Sequence, residues 1–156
     1  MKNKTVFILC TLLLVVPLVG ACGGGPSGGP TAENPVELSY ANFFPPTHGN
    51  SLAAESWMAE IEARSGGRVK FTYHPAGALA GGPEIYESVV SGIADIGMTV
   101  LAYTRGRFPL MEGADLPVGY PSGTAATEIV NEIYNKYEPD ELADTHALYF
   151  HAHGPG

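Results

Sequence analysis

The chain has 156 residues, of which 16 are acidic and 8 basic, so its formal charge is −8 at neutral pH. Such an acidic surface excludes a nucleic-acid partner, because phosphate groups are bound by clusters of lysine and arginine. Hydrophobic residues make up 45% and aromatic residues 10% of the composition, which is typical of a globular protein and excludes extensive disorder.

The N-terminus has the pattern of an exported and anchored protein. Two lysines precede an apolar run over residues 6–18, which is too short to span a bilayer and predicts a signal peptide over 1–21. The sequence Val-Gly-Ala-Cys that ends at Cys22 resembles the bacterial lipobox, in which the cysteine carries a diacylglyceryl group. Cys22 is therefore predicted to anchor the protein to a membrane, with plain secretion as the alternative.

A linker separates this anchor from the folded part. Residues 22–35 are rich in glycine and proline and contain few apolar side chains, so they predict a flexible leash. Cys10 lies within the signal peptide and Cys22 is assigned to lipid, so we expect no disulfide in the mature domain. Residues 36–156 have about the length of one domain.

Strand and helix patterns alternate along residues 36–156. Apolar residues with period two, or in a short continuous run, predict strands near residues 36–41, 69–73, 94–100 and 147–150. Apolar residues spaced by three and four, together with start and stop signals, predict helices near residues 50–64, 83–91 and 126–137. Ser122 or Thr124 is expected to cap the last helix, and Pro139 to end it.

This element order predicts an α/β fold with a mainly parallel sheet and right-handed crossovers. In such sheets ligands bind outside the carboxyl ends of the strands. Those ends are residues 43–48, 74–77, 99–103 and 151–154. Because the sequence stops directly after a predicted strand, we expect a truncated domain, with a complete small domain as the alternative.

Several short motifs, in their order and spacing, resemble the N-terminal half of the extracytoplasmic solute receptors of tripartite ATP-independent periplasmic (TRAP) transporters. The motifs are RSGGRV at 64–69, YHPAG at 73–77, GIADIG at 92–97, YTRGRFP at 103–109 and DLP at 115–117. The resemblance covers residues 36–156 and implies a lobe like that of type II periplasmic binding proteins, truncated before the second lobe.

The resemblance also implies a function. Such receptors close on a small organic anion outside the cytoplasmic membrane and deliver it to membrane permease subunits, which use an ion gradient. The receptor is not an enzyme and needs no cofactor. In this family a key arginine that binds the substrate carboxylate comes from the second half, which is absent from this sequence.

Four aromatic or imidazole side chains are placed by this resemblance in the pocket loops. Phe43 and Phe44 stand in the first loop, where they would suit a more apolar acid. Tyr103 follows the third strand, and His153 follows the predicted fourth strand. The alternatives are ordinary packing under the first helix for the phenylalanines and a core or rim position for Tyr103.

Histidines offer a second chemistry at the same edge. His151 and His153 project to one face of an extended segment, and His48 could approach them from the first loop. Three histidines can bind zinc, but no carboxylate or cysteine stands at ligand spacing, so we favour contact with an organic anion and predict no metal. A zinc-binding lipoprotein and a secreted hydrolase with its catalytic residues elsewhere remain as alternatives.

Three further charged residues have predicted roles. Asp95 is expected to make hydrogen bonds at a strand edge. Arg107, like Arg105, could bind ligand or face the permease, but a solvated position in the loop is favoured.

Overall fold

The computed structural model describes residues 29–152, so the predicted signal peptide, Cys22 and His153 lie outside the described residues. The strands are β1 (Val36–Asn42), β2 (Val69–His74) and β3 (Ile96–Met98), and the helices are α1 (Gly49–Arg64), α2 (Ile85–Val90) and α3 (Gly123–Tyr137). Short 3-10 helices cover Gly82–Glu84, Leu101–Thr104, Met111–Asp115 and Asp140–Leu142. Within this described part, no helix is long and apolar enough to cross a membrane.

The described residues form one three-stranded parallel sheet in the order β2-β1-β3. The central strand β1 pairs with β2 from Val36 opposite Val69 to Ala41 opposite His74, and it pairs with β3 around Ala41 opposite Gly97. Parallel strands connected through helices confirm the predicted α/β lobe. The carboxyl ends of all three strands consequently meet at one edge of the sheet.

The end of β1 is buried on both faces. Tyr40 packs against Ala54 and Met58 of α1. The next residue, Ala41, points to the opposite face and packs with Ile85 of α2. The two helices therefore cover opposite faces of the sheet next to its carboxyl edge, and they hold the loops that follow the strands.

Helix α2 approaches the sheet closely at Gly97. A Cβ atom at this position would lie 2.6 Å from Cγ2 of Ile85 and 2.8 Å from Cγ2 of Val89. Both methyl groups belong to β-branched side chains, which have little rotamer freedom in a helix. The position therefore requires glycine if α2 is to remain against β3.

Helix α3 contributes Val130 to a further hydrophobic cluster. The other buried members of this cluster are Tyr86, Phe108, Met111 and Leu142. The Ser122 side chain accepts a hydrogen bond from the Ala125 backbone N–H at 3.1 Å, which confirms one of the two predicted caps. The helix ends where Glu138 adopts a left-handed conformation directly before Pro139.

The prediction of a fourth strand at residues 147–150 is wrong. The segment has no regular secondary structure, and its last residue is bound by Asn131 of α3. Asn131 Oδ1 accepts from the Phe150 N–H at 3.1 Å, and Nδ2 donates to the Phe150 carbonyl at 2.8 Å. Thr127 Oγ1 accepts from the Ala152 N–H at 3.0 Å. These hydrogen bonds attach the end of the segment to α3, and the segment is not part of the three-stranded sheet.

A cavity of about 620 Å³ lies between this segment and the sheet. Its lining is mostly apolar and includes the aromatic side chains of Tyr40, Trp57, Phe71, Tyr149 and Phe150. Burial raises the pKa of the Tyr40 hydroxyl well above its usual range, so this group stays neutral.

Asp95 makes the strand-edge hydrogen bonds predicted for it. Its Oδ2 accepts from the Ser39 backbone N–H at 2.8 Å and from the Ser39 hydroxyl at 2.7 Å. The backbone N–H and the hydroxyl of Ser39 hold the pKa of the Asp95 carboxyl below its usual range. This carboxylate joins β1 to the start of β3.

Arg107 differs from the solvated loop residue that we expected. Its Nη1 lies 2.6 Å from Glu87 Oε1, and its Nη2 lies 3.2 Å from Asp144 Oδ2. The guanidinium also covers the Tyr86 ring, with 4.6 Å between Cζ and the ring centroid. Arg107 therefore connects α2 to the segment after α3, a structural role that loop composition did not indicate.

We predict that Gly97→Ala lowers the free energy of unfolding by about 1–3 kcal/mol, because the new methyl group overlaps two core methyl groups. Urea or thermal unfolding of the protein expressed from its complete gene measures the change. Gly113→Ala is the matched control, since nothing lies within 4 Å of its Cβ position. Equal losses of stability in the two variants would contradict close packing at Gly97.

Candidate ligand-binding site

The loops after β1 and β3 bring four of the predicted site residues together. Their rings form a continuous series, here called the aromatic row, which consists of Tyr103, Phe43, Phe44 and His48. Successive ring centroids are 5.5, 4.1 and 4.0 Å apart along this series. The row lies at the carboxyl edge of the sheet, where the fold class predicts a ligand crevice.

The aromatic row is buried on one side and accessible on the other. Phe43 packs against the cluster around Ala41 and Ile85, on the face of the sheet that α2 covers, so its packing is not the one under the first helix that the sequence offered as the alternative. Phe43 and Phe44 are half-buried, whereas 48% of Tyr103 is exposed and His48 is exposed. The row therefore offers an apolar surface on a supported base, which suits contact with an apolar group.

His48 is also the N-cap of α1. Its Nδ1 accepts a hydrogen bond from the Asn50 backbone N–H at 3.2 Å. A neutral imidazole that accepts at Nδ1 carries its proton on Nε2, which is then a hydrogen-bond donor. The ring stacks on Phe44 with an interplanar angle of 8°. Helix capping and ring stacking together orient this donor at the end of the row.

Gly82 lies directly beneath Tyr103. A Cβ atom at Gly82 would be 2.7 Å from Cε2 of Tyr103 and 3.5 Å from Cγ of Phe43. The Thr99 hydroxyl donates to the Gly82 carbonyl at 2.6 Å and holds this backbone in place. In the sequence, the position of Gly82 before Pro83 gives no signal that an aromatic ring lies on this glycine.

The loop after β2 supports the first loop from the side. Ala76 has φ of 56° and Gly77 has φ of 71°, so two successive residues are left-handed. Their backbone N–H groups donate to the Phe44 carbonyl at 2.8 Å and to the Asn42 carbonyl at 3.0 Å. A left-handed alanine costs about 1–2 kcal/mol. At Ala76 this conformation occurs together with the two hydrogen bonds that hold the loop of the aromatic row.

The remaining predicted histidines are not part of the aromatic row. His151 lines the cavity on the sheet, and none of the four row residues lines that cavity. His153 lies outside the described residues. Among residues 29–152, no three His, Cys, Asp or Glu side chains are grouped so that they could hold a metal ion.

Comparison with known proteins identifies the family. The family model for bacterial extracellular solute-binding protein family 7 (DctP) matches residues 40–147. The chain belongs to this family. The family and its structural neighbours are solute-binding proteins and not enzymes.

Solved structures share the fold. A TRAP periplasmic solute binding protein from Desulfovibrio salexigens is 38% identical, with 69% of this chain and 34% of that chain covered and a TM-score of 0.66. A TRAP solute binding protein from Rhodoferax ferrireducens, in complex with copurified benzoate, is 32% identical, with coverage of 77% and 38% and a TM-score of 0.71.

A third structure is a TRAP periplasmic solute binding protein from Bordetella bronchiseptica with bound (R)- and (S)-mandelate. It is 30% identical, with 78% of this chain and 39% of that chain covered and a TM-score of 0.67. The chain spans less than two fifths of the length of each of these three structures. The described lobe thus has the fold of part of a TRAP solute-binding protein.

We predict that Ala76→Gly raises the free energy of unfolding by about 0.5–1 kcal/mol. Relief of the left-handed strain exceeds the extra backbone entropy that glycine adds to the unfolded chain. Thermal unfolding measures the difference. Ala78→Gly is the matched control in the same loop, because Ala78 does not have positive φ. A loss of stability in both variants would contradict strain at Ala76.

Proposed function

We propose that the protein is the solute receptor of a TRAP-type transporter. It captures a carboxylate-bearing organic acid outside the cytoplasmic membrane and delivers it to the permease subunits. Membership in the solute-binding family supports this proposal. The observation that carries it is the aromatic row at the carboxyl edge of a parallel sheet.

The chemistry of the aromatic row favours an apolar or aromatic monocarboxylate. An apolar tail gains about 25 cal/mol for each Å² that it buries against the rings. A second carboxylate against phenyl rings would lose its hydration without gaining a partner, which is strongly unfavourable. Neighbours that hold benzoate and mandelate support the same ligand class.

The proposed roles divide between rings and imidazoles. Phe43, Phe44 and Tyr103 contact the apolar part of the ligand. The imidazole N–H groups of His48 and His153 meet the carboxylate, together with the arginine that the family resemblance assigns to a second half. His151 lines the separate cavity on the sheet and is not included in this site. A hydrogen bond to a carboxylate is stronger than one between neutral groups, so these donors favour the anionic form.

We predict that benzoate raises the melting temperature of the protein expressed from its complete gene, whereas succinate and malate do not, because a ligand stabilises only the state that it binds. Tyr103→Ala should weaken benzoate binding about tenfold by removing an aromatic contact. Tyr137→Ala is the matched control, since Tyr137 is 58% exposed on α3 and outside the aromatic row.

Thermal shift and isothermal titration give the two measurements. Strong stabilisation by succinate or malate, with none by benzoate, would show that Phe43 and Phe44 serve only as packing residues. Equal benzoate affinity in Tyr103→Ala and Tyr137→Ala would show that Tyr103 does not contact the ligand. The proposed receptor function would then depend on contacts from other residues.

We also propose that the protein is a periplasmic lipoprotein, anchored through Cys22 and extended from the membrane by residues 22–35. Two features support this: the lipobox-like sequence before Cys22 and the glycine-rich composition that follows it. Acyl chains contribute about 0.8 kcal/mol for each buried CH₂ group, which is sufficient for anchoring when more than one chain is attached.

Cys22→Ser is expected to leave the protein unacylated and released from membranes. Membrane fractionation and mass spectrometry of the N-terminal peptide measure the two properties. Cys10→Ser is the matched control, because Cys10 lies in the predicted signal peptide and its loss should leave anchoring intact. An acylated, membrane-bound Cys22→Ser product would refute the proposed anchor.

A further inference from the structure

The peptide groups of Phe44 are held by two fully buried polar side chains. Asn42 and Ser51 both have 0% exposure. Asn42 Oδ1 accepts from the Phe44 N–H at 2.9 Å, and the Ser51 hydroxyl donates to the Phe44 carbonyl at 3.3 Å. The N–H and the C=O of one loop residue are thus bound from the interior of the protein.

These two side chains belong to a larger buried network. Asn42 Nδ2 donates to the Tyr73 hydroxyl at 2.9 Å and lies 3.4 Å from the Ser51 hydroxyl. The network therefore connects the end of β1 with β2 and with the first turn of α1. Its members come from three different elements and meet directly behind the first pocket loop.

Packing alone does not require such a network. Burial of an amide or a hydroxyl costs free energy unless its hydrogen bonds are satisfied, and apolar side chains would fill this position without that cost. The network instead fixes an orientation, because a hydrogen bond is directional and limits how the bound peptide group can turn. The oriented peptide is that of Phe44, whose ring lies between Phe43 and His48 in the aromatic row.

We propose that Asn42 and Ser51 are positioning residues of the ligand site: they hold the Phe44 peptide and thereby set the spacing of the aromatic row. Neither residue has an exposed surface with which to contact a ligand. The effect of Asn42 and Ser51 on ligand recognition rests on the proposed function. Their effect on the Phe44 peptide does not, because it is measured without any ligand.

Ser51→Ala tests the proposal with a matched control. The control is Ser88→Ala, because Ser88 is also buried, at 5% exposure, and its hydroxyl donates to the Ile85 carbonyl in α2 at 2.7 Å. Amide hydrogen exchange is followed residue by residue by NMR on the protein expressed from its complete gene. We expect the Phe44 and Ala76 amides to exchange about fivefold faster or more in Ser51→Ala, and at the wild-type rate in Ser88→Ala.

Asn42→Leu is the second variant, since leucine has a similar size but leaves the Phe44 N–H without its acceptor. We expect exchange of the Phe44 amide to rise about tenfold or more. If this variant does not fold, Ser51→Ala decides, because it removes a single hydroxyl. Equal exchange of Phe44 in Ser51→Ala and Ser88→Ala would overturn the proposal.

Binding separates positioning from simple stabilisation. The probes are benzoate and acetate, which share a carboxylate and differ in the ring. Ser51→Ala should weaken benzoate binding about fivefold and leave acetate binding unchanged. Ser88→Ala should not weaken benzoate binding when the two variants have equal melting temperatures. Unchanged benzoate affinity in folded Ser51→Ala would overturn the role in recognition. If the wild type binds no benzoate, the proposed ligand class fails, and amide exchange alone decides the positioning role.

Discussion

The candidate site depends on the pairing of β1 with a parallel strand on each side. The register sets Ala41 opposite both His74 and Gly97, so the chain leaves all three strands at one level. In an antiparallel sheet these ends would lie at opposite edges. Parallel pairing therefore collects the loops that carry the aromatic row, its glycine support and the left-handed turn after β2.

Energetically costly features concentrate at this same edge. A fully buried asparagine lies at the end of β1 and a fully buried serine in the first turn of α1. A left-handed alanine and an exposed tyrosine on a buried glycine lie in the segments that follow β2 and β3. The two clusters that cover β1, by contrast, contain ordinary apolar contacts. Strained and buried polar groups persist where surrounding structure maintains them, and they occur often at functional sites. Their location therefore agrees with a ligand wall built on one lobe of a solute-binding protein.

Much of the lobe could be predicted from local sequence patterns. The positions of three strands and three helices, and the cap at Ser122, follow from periodicity and from residues that begin or end helices. The approach of Phe43 to Tyr103 was also predictable, because both follow strands of a parallel sheet. The hydrogen-bonding role of Asp95 followed from its place between apolar residues at a strand edge.

Other features were decided only by the tertiary structure. Residues 147–150 have the composition of a strand, but the amide of Asn131 binds the backbone of Phe150 and holds that residue beside α3. Arg107 joins α2 to a distant segment, and Gly82 supports a ring that follows it by many residues in the chain. Sequence alone determined which residues are apolar and where the chain turns, because these properties are local. Which backbone or side-chain group satisfies each hydrogen bond depends on long-range contacts that only the packed structure contains.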